Sequence, residues 1–403
     1  MPQESFSILY AGMLPPHPGG SGISWAQLLG GFAARGHRVR SLAPITMEAL
    51  ADGDPFAESH PELGVHRFVV PHFYTGPNVP AHDDYLALES REIRKELGTL
   101  IAAEKPDVLI SGRESFGLHV PAIAVAGGIP CLQGIRGNTT VAILNGSYPR
   151  AHTERLLGEF RKADLLVSAA RHMAEGLERF GFTNIEVIPN AVDLGQFSGV
   201  PRDEGLVRQL QLEERDIVVM HLSNLKTVKR PMDLIPSAEL ALRKVPRLCY
   251  VVVGDGAFRG PMEQECRRRQ LMPRFRFVGW IEHARVPAHL VLSDLVVSMS
   301  ASEGLSRVYL EAQASGRLLV ASDIAPAREV IEDGVSGLLF RKGDVEDLAE
   351  KTVRVARDPE LRSRIARKGR ERVAANSLDA AVERYLAVFG ACIRKHQGAR
   401  GRH

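Results

Sequence analysis

Asp216-Ile217-Val218-Val219-Met220-His221-Leu222-Ser223 is an apolar run of strand length, and what surrounds it decides the fold. It leads into the polar loop Ser223-Asn224-Leu225-Lys226-Thr227-Val228-Lys229-Arg230-Pro231, a helical segment over 230–243 and a second apolar run over 247–254. That second run is almost unbroken, as expected of a strand buried on both faces of a sheet. Strand, helix and strand in this order make a parallel βαβ unit. The alternation continues with strands expected at 275–279, 294–300, 317–322 and 337–340, then gives way to helix from 344 onward.

Upstream the pattern is the same, so 216–223 is a restart. Strands are expected at 6–12, 39–42, 65–70, 107–111, 130–135, 165–168 and 185–189, and helices at 20–35, 83–104, 117–126, 152–163 and 172–180. Trp25, Leu28, Leu29 and Phe32 share one stripe of the first helix, and Gly36 ends it. Between 193 and 203 the period is lost among Gly, Pro and charged residues, which places a domain boundary there. The expected class is α/β, with two doubly wound Rossmann-like domains, 1–195 and 196–376. A helix over 377–396, with Leu378, Ala381, Tyr385, Val388 and Phe389 on one stripe, follows, leaving 397–403 as a tail. Because such sheets bind ligands at the carboxyl ends of their strands, an interdomain cleft is the expected site.

The composition of the 403 residues, 25% charged and 44% apolar, is that of an ordinary globular protein. A net charge of 51 − 48 = +3 argues against a nucleic-acid partner, which would call for many phosphate-neutralising cations. No window approaches 18 consecutive apolar residues, and no basic n-region precedes the first apolar run, so a cytoplasmic protein without a transmembrane segment is expected. Cys131, Cys249, Cys266 and Cys392 lie far apart without metal-ligand spacing and read as buried or idle thiols. The basic stretch 394–403 reads as solvated.

Three loops carry candidate chemistry. In Pro18-Gly19-Gly20-Ser21-Gly22, backbone N–H groups at a helix start can receive an anion, and tight packing is the other use of such glycines. The spacing is not G-x-G-x-x-G and no acidic residue follows the second strand, which argues against an NAD site. Lys229 and Arg230 fall at an expected helix start, where cations are unfavourable unless they share an anion such as a diphosphate; a solvated basic loop is the alternative. Ser302-Glu303-Gly304-Leu305-Ser306-Arg307-Val308-Tyr309-Leu310-Glu311 contains E-x7-E at a strand end followed by a helix. A fourth loop, Asp52-Gly53-Asp54 before Pro55, reads as a solvated turn, and no metal is expected.

Together these segments resemble glycosyltransferase family 4 of the GT-B fold, nearly end to end. Gly19-Gly20-Ser21-Gly22 is similar to that family's N-terminal loop, and Ile188-Pro189-Asn190-Ala191-Val192-Asp193 to its interdomain I-P-N-G-V-D. Val253-Gly254-Asp255-Gly256 resembles its G-D-G turn, and Glu303 and Glu311 match its E-x7-E. The resemblance implies a metal-independent, cofactor-independent retaining transfer from a nucleotide sugar, with 1–195 on the acceptor side, 196–376 on the nucleotide-sugar side and the helix 377–396 returning to the first domain. Lys229, Arg230 and Glu303 would be the catalytic set. Gly20, Ser21, Gly22, Gly304, Leu305 and Ser306 would offer N–H groups to the donor phosphates, and Glu311 would hold the ribose.

The departures refine this picture. Asn224 stands where the family carries Arg, a form most similar to the branch that makes glucosaminyl-malate; it implies a UDP-sugar such as UDP-N-acetylglucosamine, with guanosine as the other base. Arg136-Gly137-Asn138 replaces a usual His-Gly, and Ser111-Gly112-Arg113-Glu114 replaces a His-rich strand end, so malate is not carried over. Arg113, Glu114, Arg136 and Asn138 are expected to line the pocket of a small polar or anionic acceptor from a metabolite or natural-product pathway. Expected partners are the donor, the acceptor and, as an open assembly state, a second copy. A nucleotide-sugar epimerase or hydrolase, or a non-catalytic nucleotide binder, is the alternative.

Overall fold

A computed structural model describes residues 5–17, 19–73 and 82–400. The chain forms two compact units, one made of Met1–Asn190 with Leu378–His403 and the other of Ala191–Ser377. Among the described residues no helix is long and apolar enough to cross a membrane.

The first unit holds strands β1 (Ser7–Ala11), β2 (Arg38–Thr46), β3 (Val65–Val70), β4 (Val108–Ser111), β5 (Cys131–Ile135), β6 (Leu165–Ser168) and β7 (Ile185–Val187). They pair in the order β3-β2-β1-β4-β5-β6-β7, all parallel. Every residue of β1, β4 and β5 is buried, which is why these runs read as continuous apolar stretches. The order reverses at β1 and β4, and the loops leaving those two strands carry Gly20, Ser21 and Gly22 on one side and Arg113 and Glu114 on the other.

The helix Leu378–Arg400 packs on the helix Gly20–Ala34 inside this unit. Phe32 meets Tyr385 and Phe389 at ring distances of 6.0 and 5.3 Å, and Trp25 meets Tyr385 at 5.7 Å. The missing side chain of Gly31 lets the helices close up, since a Cβ there would lie 2.5 Å from Val382 Cγ2. The expected end of this helix at 396 is corrected: it runs on to Arg400, with His396 Nε2 3.0 Å from the carbonyl of Gly128, while Arg394, Lys395 and Gln397 are exposed, as a solvated stretch would be.

The second unit repeats the plan with β8 (Ile217–Leu222), β9 (Leu248–Val253), β10 (Phe275–Gly279), β11 (Leu295–Ser298), β12 (Leu318–Ser322) and β13 (Leu338–Phe340). Their order, β10-β9-β8-β11-β12-β13, is the same doubly wound arrangement, with its reversal at β8 and β11. Alternate residues Ile217 and Val219 of β8 and Leu248, Tyr250 and Val252 of β9 pack with Leu234, Ile235 and Ala238 of the helix Leu234–Lys244. Burying each large apolar side chain stabilises by about 1.5–3 kcal/mol, and this face is continuous. Val192 and Ser377 bridge the two ends of the unit, with Val192 N–H donating to Asn376 O at 3.0 Å.

One local expectation fails here. Lys229 and Arg230 do not open an α-helix; Lys229 closes the short 3-10 turn Thr227–Lys229, Arg230 is left-handed at φ +48°, and the α-helix begins at Leu234. Pro231 disfavours the right-handed α conformation at the residue before it, so the helix does not run back through Arg230.

Candidate active site

The carboxyl ends of β8 and β11 place two loops side by side. Ala301 N–H donates to Val228 O at 2.8 Å and stitches the loop after β11 to the loop after β8. This brings Lys229 and Glu303 together: Lys229 Nζ donates to Glu303 Oε1, and Ser300 Oγ–H donates to the same oxygen at 2.7 Å. The side chains of Lys229 and Glu303 are 21% and 8% exposed, so the pair is only partly hydrated and strong for its size. Two residues of the expected catalytic set are thus direct partners.

Gly254 makes this arrangement possible. Its φ is +122°, its N–H donates to Gly279 O at 2.7 Å, and a Cβ there would lie 1.9 Å from Ser223 O. Only a residue without a side chain lets the end of β9 pass so close to the loop after β8. Beneath that loop, His221 is 2% exposed, with Nδ1 3.0 Å from Val297 O and Nε2 2.8 Å from Ser223 Oγ. A carbonyl can only accept, so Nδ1 carries the proton and Ser223 donates to Nε2. Burial pushes the ring pKa down to about 4; the Val297 bond opposes this and the Lys229 charge adds to it.

Glu311 is 3% exposed on the helix Arg307–Ala314. Its Oε1 is 2.9 Å from His283 Nε2, 3.1 Å from Arg307 Nε and 3.0 Å from Arg307 Nη2. Burial works against ionisation, but the Arg307 charge and the His283 bond prevail and hold the carboxyl below its ordinary range. Gly304, Leu305 and Ser306 are buried between the two glutamates, and Ser306 is extended ahead of the helix without a side-chain cap bond. The first N–H groups of a helix lack α-helical partners, and here Tyr309 N–H turns back to Ser306 O at 3.3 Å.

Not every expected donor residue joins this cluster. Asn224 is exposed, and among the described residues only its carbonyl is engaged, by Lys226 N–H at 2.8 Å. Arg230 turns to Asp233 (Nε to Oδ2, 2.6 Å) and lies over Gly343; among the described residues it has no hydrogen bond to Lys229 or Glu303.

In the first unit the expected acceptor set divides. Arg113 is half-buried, and its Nη1 is buried without a hydrogen-bond partner among the described residues. Glu114 is fully buried, and its Oε1 accepts from Arg136 N–H (3.1 Å), Gly137 N–H (2.7 Å) and Thr140 Oγ1 (3.0 Å). It anchors the start of the helix Asn138–Leu144, a framework position in place of the expected ligand position.

Arg136 is likewise enclosed. It is 7% exposed, gives Nη1 to Asn190 Oδ1 and Nη2 to Tyr385 Oη, both at 2.8 Å, and stacks 4.3 Å from the Trp25 ring centre. The permanent cation at the His-Gly position is therefore a tie between β5, Asn190 and the terminal helix. Asn138 opens its short helix, and its side chain lies outside the described residues. Gly20 and Ser21 open the helix Gly20–Ala34, and Gly22 N–H donates to Gly19 O at 3.1 Å; Pro18 lies outside the described residues.

Asp54 also departs from expectation. It caps the turn Pro55–Ser59 and takes two bonds from Arg67, at 2.6 and 3.0 Å, so it is a partly buried ion pair and not a solvated turn residue. Among the described residues no three His, Cys, Asp or Glu side chains gather as metal ligands. The four cysteines are free and buried. Arg307, His283, Ser300 and His221 are the site residues that sequence reading missed.

Residues 18–196 match the family model described as Glycosyltransferase Family 4, and residues 203–372 the model described as Glycosyl transferases group 1. N-acetyl-alpha-D-glucosaminyl L-malate synthase of Bacillus anthracis is 24% identical over 368 residues, covering 89% of this chain and 90% of that protein. Alpha-D-kanosaminyltransferase of Streptomyces kanamyceticus is 31% identical over 179 residues, 44% of this chain and 46% of that one, so the chain spans about half the length of this relative. The crystal structure of Anabaena Alr3699/HepE in complex with UDP superposes with a TM-score of 0.76 at 20% identity, over 96% of this chain and all of that one. The two family models divide the chain as the two doubly wound sheets do, and the chain belongs to the glycosyltransferases of the GT-B fold.

Proposed function

We propose that the chain is a retaining glycosyltransferase that moves a sugar from a UDP-sugar, UDP-N-acetylglucosamine in the first instance, to a small polar or anionic acceptor. The observation that carries the reading is the Lys229–Glu303 pair at the strand-order reversal of the second sheet, with Glu311 one turn into the helix that follows. The UDP in the complex of a structural neighbour and the name of the relative aligned over 90% of its length favour this donor.

In this reading the bond from the sugar C1 to the β-phosphate oxygen breaks while the acceptor oxygen bonds C1 on the same face. The acceptor proton passes to the leaving phosphate, and UDP departs. Lys229 Nζ, assisted by the N–H groups at Gly304, Leu305 and Ser306, faces the charge that grows on the phosphate, a fixed electrostatic contribution and the largest kind available. Glu303 exchanges its lysine for sugar hydroxyls. Arg230 acts as a more distant cation, Arg113 recognises the acceptor, and no metal is required. The setting is a metabolite or natural-product pathway in the cytoplasm.

Thermal unfolding with UDP-, GDP-, ADP- and TDP-sugars tests the donor, since a ligand at 100 times its Kd adds about 2.7 kcal/mol. Product analysis with an acceptor then reads the anomer. Stabilisation by UDP-N-acetylglucosamine and an α-linked product are expected. No stabilisation by any nucleotide sugar, or UDP release at the same rate without acceptor, would sink the proposal.

A further inference from the structure

Glu311 is held in an unusual way for a residue that must greet a ligand. All three of its protein bonds fall on one oxygen, Oε1, and come from two side chains on different elements, Arg307 one turn earlier on its helix and His283 on the turn that follows β10. Oε2 has no hydrogen-bond partner among the described residues. His283 Nε2 carries the proton, because only then is its 2.9 Å approach to a carboxylate oxygen attractive. Arg307 Nη2, 3.0 Å from that ring nitrogen, therefore gives its hydrogen to Oε1. Arg307, His283 and Glu311 side chains are 9%, 18% and 4% exposed, so the cluster is fixed in a largely dry setting.

We propose that Arg307 and His283 are positioning residues that make Glu311 a one-oxygen reader of the donor's ribose. The inference rests on the proposed donor site. A carboxylate with both oxygens open takes both hydroxyls of a vicinal diol, one on each oxygen. Here Oε1 is occupied, so one ribose hydroxyl donates to Oε2 and the other is left without an open carboxylate oxygen. The two hydroxyls then contribute unequally. Because the ribose is remote from the reacting carbon, the effect belongs to binding, in Kd and donor KM, with kcat little changed.

The test is calorimetric titration of UDP, 2′-deoxy-UDP and 3′-deoxy-UDP into the wild-type protein and into Arg307→Leu, Arg307→Lys, His283→Gln and Glu311→Gln, with donor KM and kcat measured alongside. Losing the orientation of a charged hydrogen bond should weaken UDP about tenfold in Arg307→Leu, with kcat within about threefold. Arg307→Lys should recover part of the loss. In the Glu311→Gln background the Arg307 substitution should add less than about twofold, since its effect runs through the carboxylate. One deoxynucleotide should lose about tenfold and the other about threefold or less.

Unchanged UDP affinity in both Arg307→Leu and His283→Gln, with Glu311→Gln weakened, overturns the positioning role and leaves the donor site standing. Full additivity with Glu311→Gln, or equal losses for the two deoxynucleotides, overturns it as well. No UDP binding by the wild-type protein, or no effect of Glu311→Gln, brings down the donor-site reading beneath it. His283→Gln serves where Arg307→Leu fails to fold.

Discussion

Removing the Lys229 amino group separates the ion pair seen in the structure from the phosphate role proposed for the same atom. In Lys229→Ala, Glu303 keeps only the Ser300 hydroxyl on Oε1 while remaining 8% exposed, so an ionised carboxylate is left nearly buried without its cation. The fold should lose about 1–3 kcal/mol, or roughly 3–10 °C in Tm for a domain of this size. Turnover should fall further and for a different reason, because in the proposed mechanism Nζ faces the leaving phosphate. A preorganised donor of this kind contributes about 2.7–4 kcal/mol to the transition state, which is about 100-fold or more in kcat. The assay is donor- and acceptor-dependent UDP release at saturating donor, with Tm measured on the same samples. Lys229→Ala with Glu303→Gln removes the stranded charge and should recover most of the Tm loss without recovering turnover. A Lys229→Ala enzyme within threefold of wild type would refute the phosphate role, and turnover that returned with Tm in the double variant would show that Lys229 acts through the fold alone.

Gly254→Ala places a methyl 1.9 Å from Ser223 O at φ +122° and should cost about 3 kcal/mol or more, whereas Gly30→Ala, with nothing within 4 Å on an α-helix, should stabilise by about 0.5–1 kcal/mol; urea unfolding of both variants checks the contrast. His221 has a folded pKa of about 4, below its unfolded value, so it stays neutral in the fold while the unfolded chain takes up a proton. Its contribution is full above about pH 6.5 and fades as pH falls toward 4, about 2 kcal/mol being lost by pH 5, and His221→Asn should flatten the urea midpoint over that window. Burial pushes the thiols of Cys266 and Cys392 up to about 12 and about 11, and Cys131 and Cys249 are raised by burial too, so a disulfide reagent at pH 8 should label none of the four until denaturant is added.

The strands were legible because parallel strands covered on both faces must be apolar at every position, and β9 and β10 appear within a residue or so of where the sequence places them. The two glutamates were legible as well, since strand end, loop and helix fix their spacing. What holds them was not. Arg307 lies one helical turn before Glu311 and its pairing follows from that spacing, but His283 arrives from another loop and only the sheet order brings it there. Charge type misled most at Arg136 and Glu114. A cation and a carboxylate near a strand end read as ligands, yet Trp25, Tyr385, Asn190 and Thr140, all distant in sequence, enclose them. Arg230 failed for a local reason that was visible, the proline after it.

The division of the chain has a consequence for its birth. The second unit, Ala191–Ser377, is one unbroken segment, whereas the first is interrupted and needs Leu378–Arg400 to finish. That helix is synthesised after the whole of the second unit, so the usual order, in which the N-terminal domain folds first during translation, cannot be completed here. Until the helix emerges, Trp25 and Phe32 lack the Tyr385 and Phe389 rings that cover them, and the Arg136 guanidinium lacks its tyrosine. A nascent or C-terminally shortened chain therefore carries a finished second unit beside a first unit with an open apolar flank, a form that chaperones hold and proteases cut.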